Sequence, residues 1–175
     1  QLAINQRPVE KLDRHPQVRV ARPFAGTDRL PLGLAKRLQE IVLGQSVALT
    51  GPAQELGKEM QLGAKTYFDI VNAAGGIRGK KIVLRTLDDG YEPPRAEANT
   101  KKFVEDGDVL ALFGYVGTPT CVAALPLVLE SKIPFFGPFT GAESLREPFA
   151  RNVFHVRASY YDETGLIVKQ LTSLG

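Results

Sequence analysis

The sequence predicts an α/β fold, a doubly wound and mostly parallel sheet with helices on both faces. Short apolar, β-branched runs alternate along the chain with longer segments whose apolar residues recur at the helical period. The short runs lack polar alternation, as strands covered on both faces do. Each run also ends in a turn rich in Gly, Pro or Asp, the punctuation expected where strands hand over to helices.

Ile41 to Leu49 reads as the first strand, closed by Thr50-Gly51-Pro52. A helix is predicted over residues 57–74, because Leu56, Met60, Ala64, Tyr67, Val71 and Ala74 recur at spacings of three and four. Gly75-Gly76 stops it, supplying a left-handed end that a Cβ would penalise. Ile82 to Leu87 is the second strand, and Asp88-Asp89-Gly90 and Pro93-Pro94 follow it. Arg95 to Glu105 is the second helix, with Ala96, Thr100, Phe103 and Val104 turned inward. Val109 to Phe113 is a third, wholly apolar strand. Its loop, Gly114 to Gly117, leads to Thr118 at a capping position and Pro119 at the first helical one. The helix from Thr120 to Glu130 is apolar on nearly all sides, which predicts deep burial, with Pro126 kinking it or delaying its start. Ile133 to Phe136, Val153 to Val156 and a helix from Asp162 to Ser173 complete the series.

Composition narrows the function. The longest apolar stretch, Cys121 to Leu129, is nine residues and holds a proline; a membrane-spanning helix needs about twenty. A single cysteine, Cys121, excludes an internal disulfide and a multi-thiolate metal site, and His15 and His155 alone form no zinc constellation. The net charge of +3 divides unevenly: residues 1–39 hold eight Lys/Arg against three Asp/Glu. That leader also carries Pro8, Pro16, Pro23 and Pro31 and reads as an extended linker. It has no dense basic run and no aromatic interleaving, so nucleic acid is not an expected partner. It has no secretory h-region either, and since the chain opens on Gln1, it is expected to be a processed or excised segment.

Ligands of doubly wound sheets bind beyond the carboxyl ends of the strands. This singles out residues 50–56, 88–94, 114–118 and 137–142. The loop before Thr118 feeds a helix N-terminus, where the amides of Thr118, Thr120 and Cys121 favour a carboxylate or phosphate; a plain capped helix is the alternative. Phe139-Thr140-Gly141-Ala142 offers a hydroxyl, open backbone and an aromatic wall. Tyr160-Tyr161-Asp162 combines aromatic faces with a carboxylate, though Asp162 is also an ordinary helix cap. Asp88-Asp89 invites a metal or phospho-acceptor reading, but a receiver domain would place its acids after the first and third strands, where Thr50 and Gly114 stand. Cys121 near a helix start could have a lowered pKa, yet no partner base is identifiable and buried packing is the expectation.

Taken together, Ala48-Leu49-Thr50-Gly51-Pro52, Gly57, Asn72 to Lys81 and Asp88-Asp89 resemble the amino-terminal lobe of type I periplasmic solute-binding proteins. Within that group the chain is most similar to the Leu/Ile/Val-binding branch serving ABC importers. The resemblance continues through Phe113-Gly114, Phe136-Gly137-Pro138, Val156-Arg157 and Asp162, spanning about residues 41–175. It implies two α/β lobes that close on an amino acid or related carboxylate-bearing solute, delivered to a membrane permease. It implies no cofactor, no catalysis and a periplasmic location. On the family pattern, Thr118 would hold the ligand carboxylate, and Phe139, Thr140 and Gly141 its amino and carboxylate groups. Asp162 would stand near the ammonium, and Leu56 would take the place of a cleft aromatic. Domains follow as a leader over 1–39, a first lobe over 40–158, and a hinge crossing with the first helix of the second lobe over 159–175.

The sequence departs from that pattern in places. Tyr91 and Gly117 occupy the positions of a disulfide found in some relatives, and Gly141 stands where a hydroxyl residue is common. The chain is also about half the length the resemblance implies, so half a cleft and weak, millimolar binding are expected. A ligand-sensing domain on the same fold is the alternative function.

Overall fold

The computed structural model describes residues 40–174; the leader over 1–39 lies outside the described residues. The described elements run β1 (Glu40–Val47), α1 (Gln54–Ala73), β2 (Lys81–Asp88), α2 (Pro93–Asp106), β3 (Ala111–Phe113), α3 (Thr118–Ser131), β4 (Phe135–Phe136), a 3-10 turn (Glu143–Leu145), β5 (Val153–Phe154) and α4 (Tyr160–Ser173). All strand pairs are parallel, in the order β2-β1-β3-β4-β5. Strand order reverses at β1, so the crossovers after β1 and β3 diverge there and leave a crevice at the carboxyl edge.

Burial is concentrated on one face of the sheet. Phe103 of α2 and Cys121, Ala124 and Val128 of α3 meet Leu112 of β3 and Phe135 of β4, and Tyr115 closes the cluster edge-on to Phe135 at 5.0 Å. Ala96, Thr100 and Phe103 are the buried residues of α2, the stripe its sequence predicts apart from the half-buried Val104. In α3, Thr120, Cys121, Ala124 and Val128 are buried, but Val122 and Leu129 are exposed, so burial is one-sided rather than all-round. The helix is continuous from Thr118 to Ser131, with Pro126 inside it on the exposed side, so its start is not delayed.

The other face is less covered. α1 starts at Gln54, three residues before the predicted start, because backbone bonds to Gly51 and Ala53 close its first turn ahead of the first apolar contact. Its inward line passes through Gly57, Met60, Ala64, Phe68 and Val71, while Leu56 and Tyr67 point outward. The predicted stripe is therefore off by one residue at Tyr67, whose neighbour Phe68 packs on Phe113 with ring centroids 5.4 Å apart. From Phe113 an aromatic ladder continues to Phe136 at 6.1 Å and Phe154 at 6.3 Å. With Ile41 and Leu43 these rings line an open apolar trough of about 400 Å³. β4 and β5 are only two residues each, since Gly137 takes φ 64° and turns the chain out of the ladder. α4 buries none of its residues, and Leu166, Ile167, Val168 and Leu171 are exposed.

Candidate functional site

The carboxyl edge of β3, β4 and β5 carries three connected hydroxyl groups. Thr118 Oγ1 lies 2.6 Å from Thr140 Oγ1, which lies 3.2 Å from Tyr160 Oη. Thr140 is buried and accepts the Ala142 amide at 3.1 Å. With one lone pair so occupied, its single hydrogen goes to one neighbour and its second lone pair accepts from the other. An acceptor placed beside Thr118 therefore orients the relay Tyr160→Thr140→Thr118, and one beside Tyr160 orients it the opposite way. Hydrogen bonds from Thr140, and next from Thr118, hold the Tyr160 phenol below the ordinary tyrosine range.

Local sequence explains why Thr118 is available. It is the first residue of α3 rather than its cap; Gly117 is the cap residue, and no side chain caps this end. Its hydroxyl turns to Thr140 instead of to the helix amides. Pro119 has no amide, and the Cys121 amide donates to Gly117 O, so Cys121 drops out of the predicted anion-binding set. The amides of Thr118 and Thr120 have no acceptor among the described residues, and neither does that of Gly141. The site thus presents hydroxyl and amide donors at a helix N-terminus, chemistry suited to a carboxylate.

Gly141 is required by space. A Cβ there would stand 2.7 Å from Tyr160 Cδ1, 2.8 Å from Tyr160 N and 3.0 Å from Ala158 O. The Tyr160 amide donates to Gly141 O at 2.8 Å, so the start of α4 is laid directly on the loop after β4. Tyr160 fills the volume a side chain at 141 would use and brings a hydroxyl of its own.

The remaining predicted residues sort differently. Phe139 is half-exposed beside the cluster, its amide bonded to Tyr115 O at 2.7 Å. Asp162 is the third residue of α4, and its Oδ2 accepts from both the amide and hydroxyl of Ser159, whose hydroxyl in turn accepts the Asp162 amide. Its visible role is that capping box, with Ser159 rather than Asp162 as the cap. Leu56 stands apart from the cluster, exposed on the first turn of α1.

Two residues that the family resemblance names without a binding role belong to this edge. Arg157 places its guanidinium 5.4 Å from the Phe139 ring centroid and 5.2 Å from that of Tyr160. It also donates through Nε and Nη2 to the two oxygens of Glu163, at 2.7 and 2.8 Å. Tyr91 lies against Gly117, where a Cβ would meet its ring at 2.4 Å. The positions that the resemblance associates with a disulfide are thus in contact, joined by an aromatic ring on a glycine.

Asp88 and Asp89 are a structural clamp. Asp88 accepts from the Leu49, Thr50 and Gly90 amides, the Thr50 hydroxyl and Arg95. Burial works against its charge, but these donors outweigh it and hold its carboxyl well below the usual range. Asp89 is buried, accepts Ser46 Oγ at 2.7 Å and the Tyr91 amide at 2.8 Å, and is pushed up by burial. The pair ties the turn after β2 to that after β1, and no metal-binding cluster exists among the described residues. The Cys121 thiol is buried and pushed up by that burial to about 12, which opposes nucleophilic activation. His155 bonds Leu145 O at 3.1 Å and is lowered by burial and then by Arg146.

Comparison with known proteins gives this edge its context. The sequence profile described as periplasmic binding protein matches residues 40–175. Leu/Ile/Val-binding protein homolog 3 of Brucella melitensis is 31% identical over 115 residues, 66% of this chain and 31% of that protein. The crystal structure of a possible leucine/isoleucine/valine-binding protein from Rhodopirellula baltica superimposes with a TM-score of 0.74 at 41% identity, covering 85% of this chain and 38% of that one. A substrate-binding periplasmic protein from Ralstonia solanacearum matches with a TM-score of 0.72 at 31% identity, over 78% of this chain and 38% of the other. The chain spans about a third of the length of the curated relatives it matches.

Proposed function

The chain belongs to the periplasmic binding protein family, and from that premise we propose that residues 40–158 form one lobe of a two-lobed solute receptor. Residues 159–175 then cross the hinge and begin the second lobe. The solute is an amino acid or a related small carboxylate, and its carboxylate sits against Thr118 at the start of α3. The observation that carries this reading is the Thr118–Thr140–Tyr160 relay, three hydroxyls at the carboxyl edge of a parallel sheet beside unpaired amides. Names of relatives support the cargo class: a Leu/Ile/Val-binding protein homolog is 31% identical, and a possible leucine/isoleucine/valine-binding protein shares this fold at 41% identity.

Binding is non-catalytic. Closure of the second lobe desolvates the solute, and the closed shape is what a membrane permease of an ABC importer reads in the periplasm. No cofactor enters. The lobe by itself holds its solute in the millimolar range, because half of the contacts and the exclusion of water are supplied by closure.

A thermal-shift screen of the 175-residue chain against L-leucine, L-phenylalanine, benzoate and succinate tests this. At ten times a millimolar dissociation constant a ligand stabilises by about 1.4 kcal/mol, or about 3 to 6 °C. A shift with one solute class that disappears in Thr118→Ala supports the receptor reading. No shift with any of the four, at concentrations to 50 mM, contradicts it.

A further inference from the structure

Arg157 contacts one carboxylate and two aromatic rings at once. Its guanidinium is a rigid plane, and Glu163 takes the Nε–Nη2 edge of that plane with both carboxylate oxygens. An edge held bidentately leaves the plane no freedom to rotate. In that orientation it stacks against two separate aromatic rings, Phe139 from the loop after β4 and Tyr160 from the start of α4. The backbone carries a further tie, since Arg146 Nη2 donates to Arg157 O at 2.7 Å. The clamp thus joins the loop after β4, the segment before α4 and the first turn of α4.

Both rings that it joins belong to residues at the hydroxyl relay. Tyr160 Oη is part of the relay, and the Phe139 backbone immediately precedes Thr140. Both rings are about two-fifths exposed, 43% for Phe139 and 41% for Tyr160. The surface they present is therefore what a ligand's side chain meets once its carboxylate is at Thr118. Tyr160 is already held against Gly141 and through its hydroxyl to Thr140, whereas the half-exposed Phe139 ring has fewer constraints of its own. The Arg157 guanidinium contacts both rings, 5.4 Å from one centroid and 5.2 Å from the other, and so ties the Phe139 ring to that of Tyr160.

We infer that Arg157, clamped by Glu163, is a positioning residue that sets the gap between the Phe139 and Tyr160 rings and so selects which ligand side chain the lobe accepts. The inference rests on the receptor reading. It differs from a merely structural role in one respect: a structural defect weakens every ligand by a similar factor, whereas a change of gap alters the ratio between ligands. With the guanidinium gone the rings splay, and a larger side chain gains relative to a smaller one. Lysine does not restore the gap, because an ammonium neither stacks as a plane nor occupies both carboxylate oxygens.

The test is NMR titration of the 175-residue chain with L-leucine and with L-phenylalanine, in wild type, Arg157→Ala, Arg157→Lys and Glu163→Gln. The Nε–Hε cross-peak of Arg157, shifted by the two rings and slowed in exchange by Glu163, reports the clamp independently of ligand. The expected result is a ratio of dissociation constants displaced toward phenylalanine by about fivefold in both Arg157 variants, the worth of one exposed cation–π contact. Glu163→Gln displaces it in the same direction by less, and moves the cross-peak toward its free position. Equal weakening of both ligands, or an unchanged ratio while the cross-peak is lost, overturns the inference and leaves the receptor reading intact. Should neither ligand perturb the wild-type chain, the receptor reading fails and the inference with it. The conservative variants keep the test valid if Arg157→Ala does not fold.

Discussion

Replacing Gly141 by alanine is the sharpest perturbation of the candidate site. Its new methyl group would be placed 2.7 Å from Tyr160 Cδ1, 2.8 Å from Tyr160 N and 3.0 Å from Ala158 O. Two of these three neighbours are backbone, and the third is on a ring whose own backbone is held to Gly141 O at 2.8 Å. The start of α4 must move off the loop, which stretches that hydrogen bond and the 3.2 Å contact between Thr140 and Tyr160. Overpacking costs about 1–3 kcal/mol, and a hydrogen bond lost from a partly buried site adds about 1 kcal/mol. The sum, about 2–4 kcal/mol, lowers Tm by about 4–16 °C for a domain of this size. Thermal unfolding followed by circular dichroism measures it. A second substitution, Tyr160→Gly in the Gly141→Ala background, removes the ring but not the backbone contacts, so it restores only part of the loss. A Gly141→Ala protein within about 0.5 kcal/mol of wild type, the ordinary range for a surface change, would refute the argument that α4 is laid directly on this loop.

Other expectations follow from the same structure. Cys121, buried and with its thiol pushed up to about 12, is expected to resist DTNB at pH 8 in the native chain and react at once in guanidinium; native labelling at the rate of a free thiol would contradict its placement. Asp88 is held as a carboxylate by Thr50, Leu49, Gly90 and Arg95, so its folded pKa lies below its unfolded value near 3.9. Its contribution is then complete above pH 5 and lost as pH falls through the folded value; Asp88→Asn should destabilise by about 1.5–3 kcal/mol at pH 7, with the difference from wild type shrinking below pH 4. A gap that stays constant to pH 2 would be inconsistent with that. The trough lined by Phe68, Phe113, Phe136 and Phe154 should bind an apolar dye such as ANS, and Phe154→Ser should reduce the fluorescence; equal fluorescence in both would place the dye elsewhere.

The order of strands and helices is legible in the sequence because its punctuation is local. Gly75-Gly76, Pro93-Pro94 and Gly117 with Pro119 each act on the backbone where they stand, and the elements they delimit appear within a few residues of their predicted bounds. The phase of α1 was not legible, since Tyr67 and Phe68 are adjacent aromatics and only the sheet decides which turns inward. Thr118, Thr140 and Tyr160 were found from strand ends, but their mutual contact spans 20 or more residues of separation and has no local signal. The contacts of Arg157 and Tyr91 were not legible for the same reason: a lone arginine before a helix and a lone tyrosine in a turn acquire roles only when Phe139 and Gly117 arrive from other loops. Asp162 shows the converse, a local motif with Ser159 that accounts for its conformation without any ligand.

The central claim is that the hydroxyl relay at the carboxyl edge is where a carboxylate-bearing solute docks. Its most direct test is an amide and methyl NMR titration of the chain with L-leucine, assigned residue by residue. The account predicts saturable shifts centred on Thr118, Thr120, Thr140, Gly141 and Tyr160, with a millimolar midpoint, that vanish in Thr140→Val. Saturable shifts centred on the aromatic trough or on Asp88–Asp89, with the Thr118 and Gly141 amides unmoved, would contradict it.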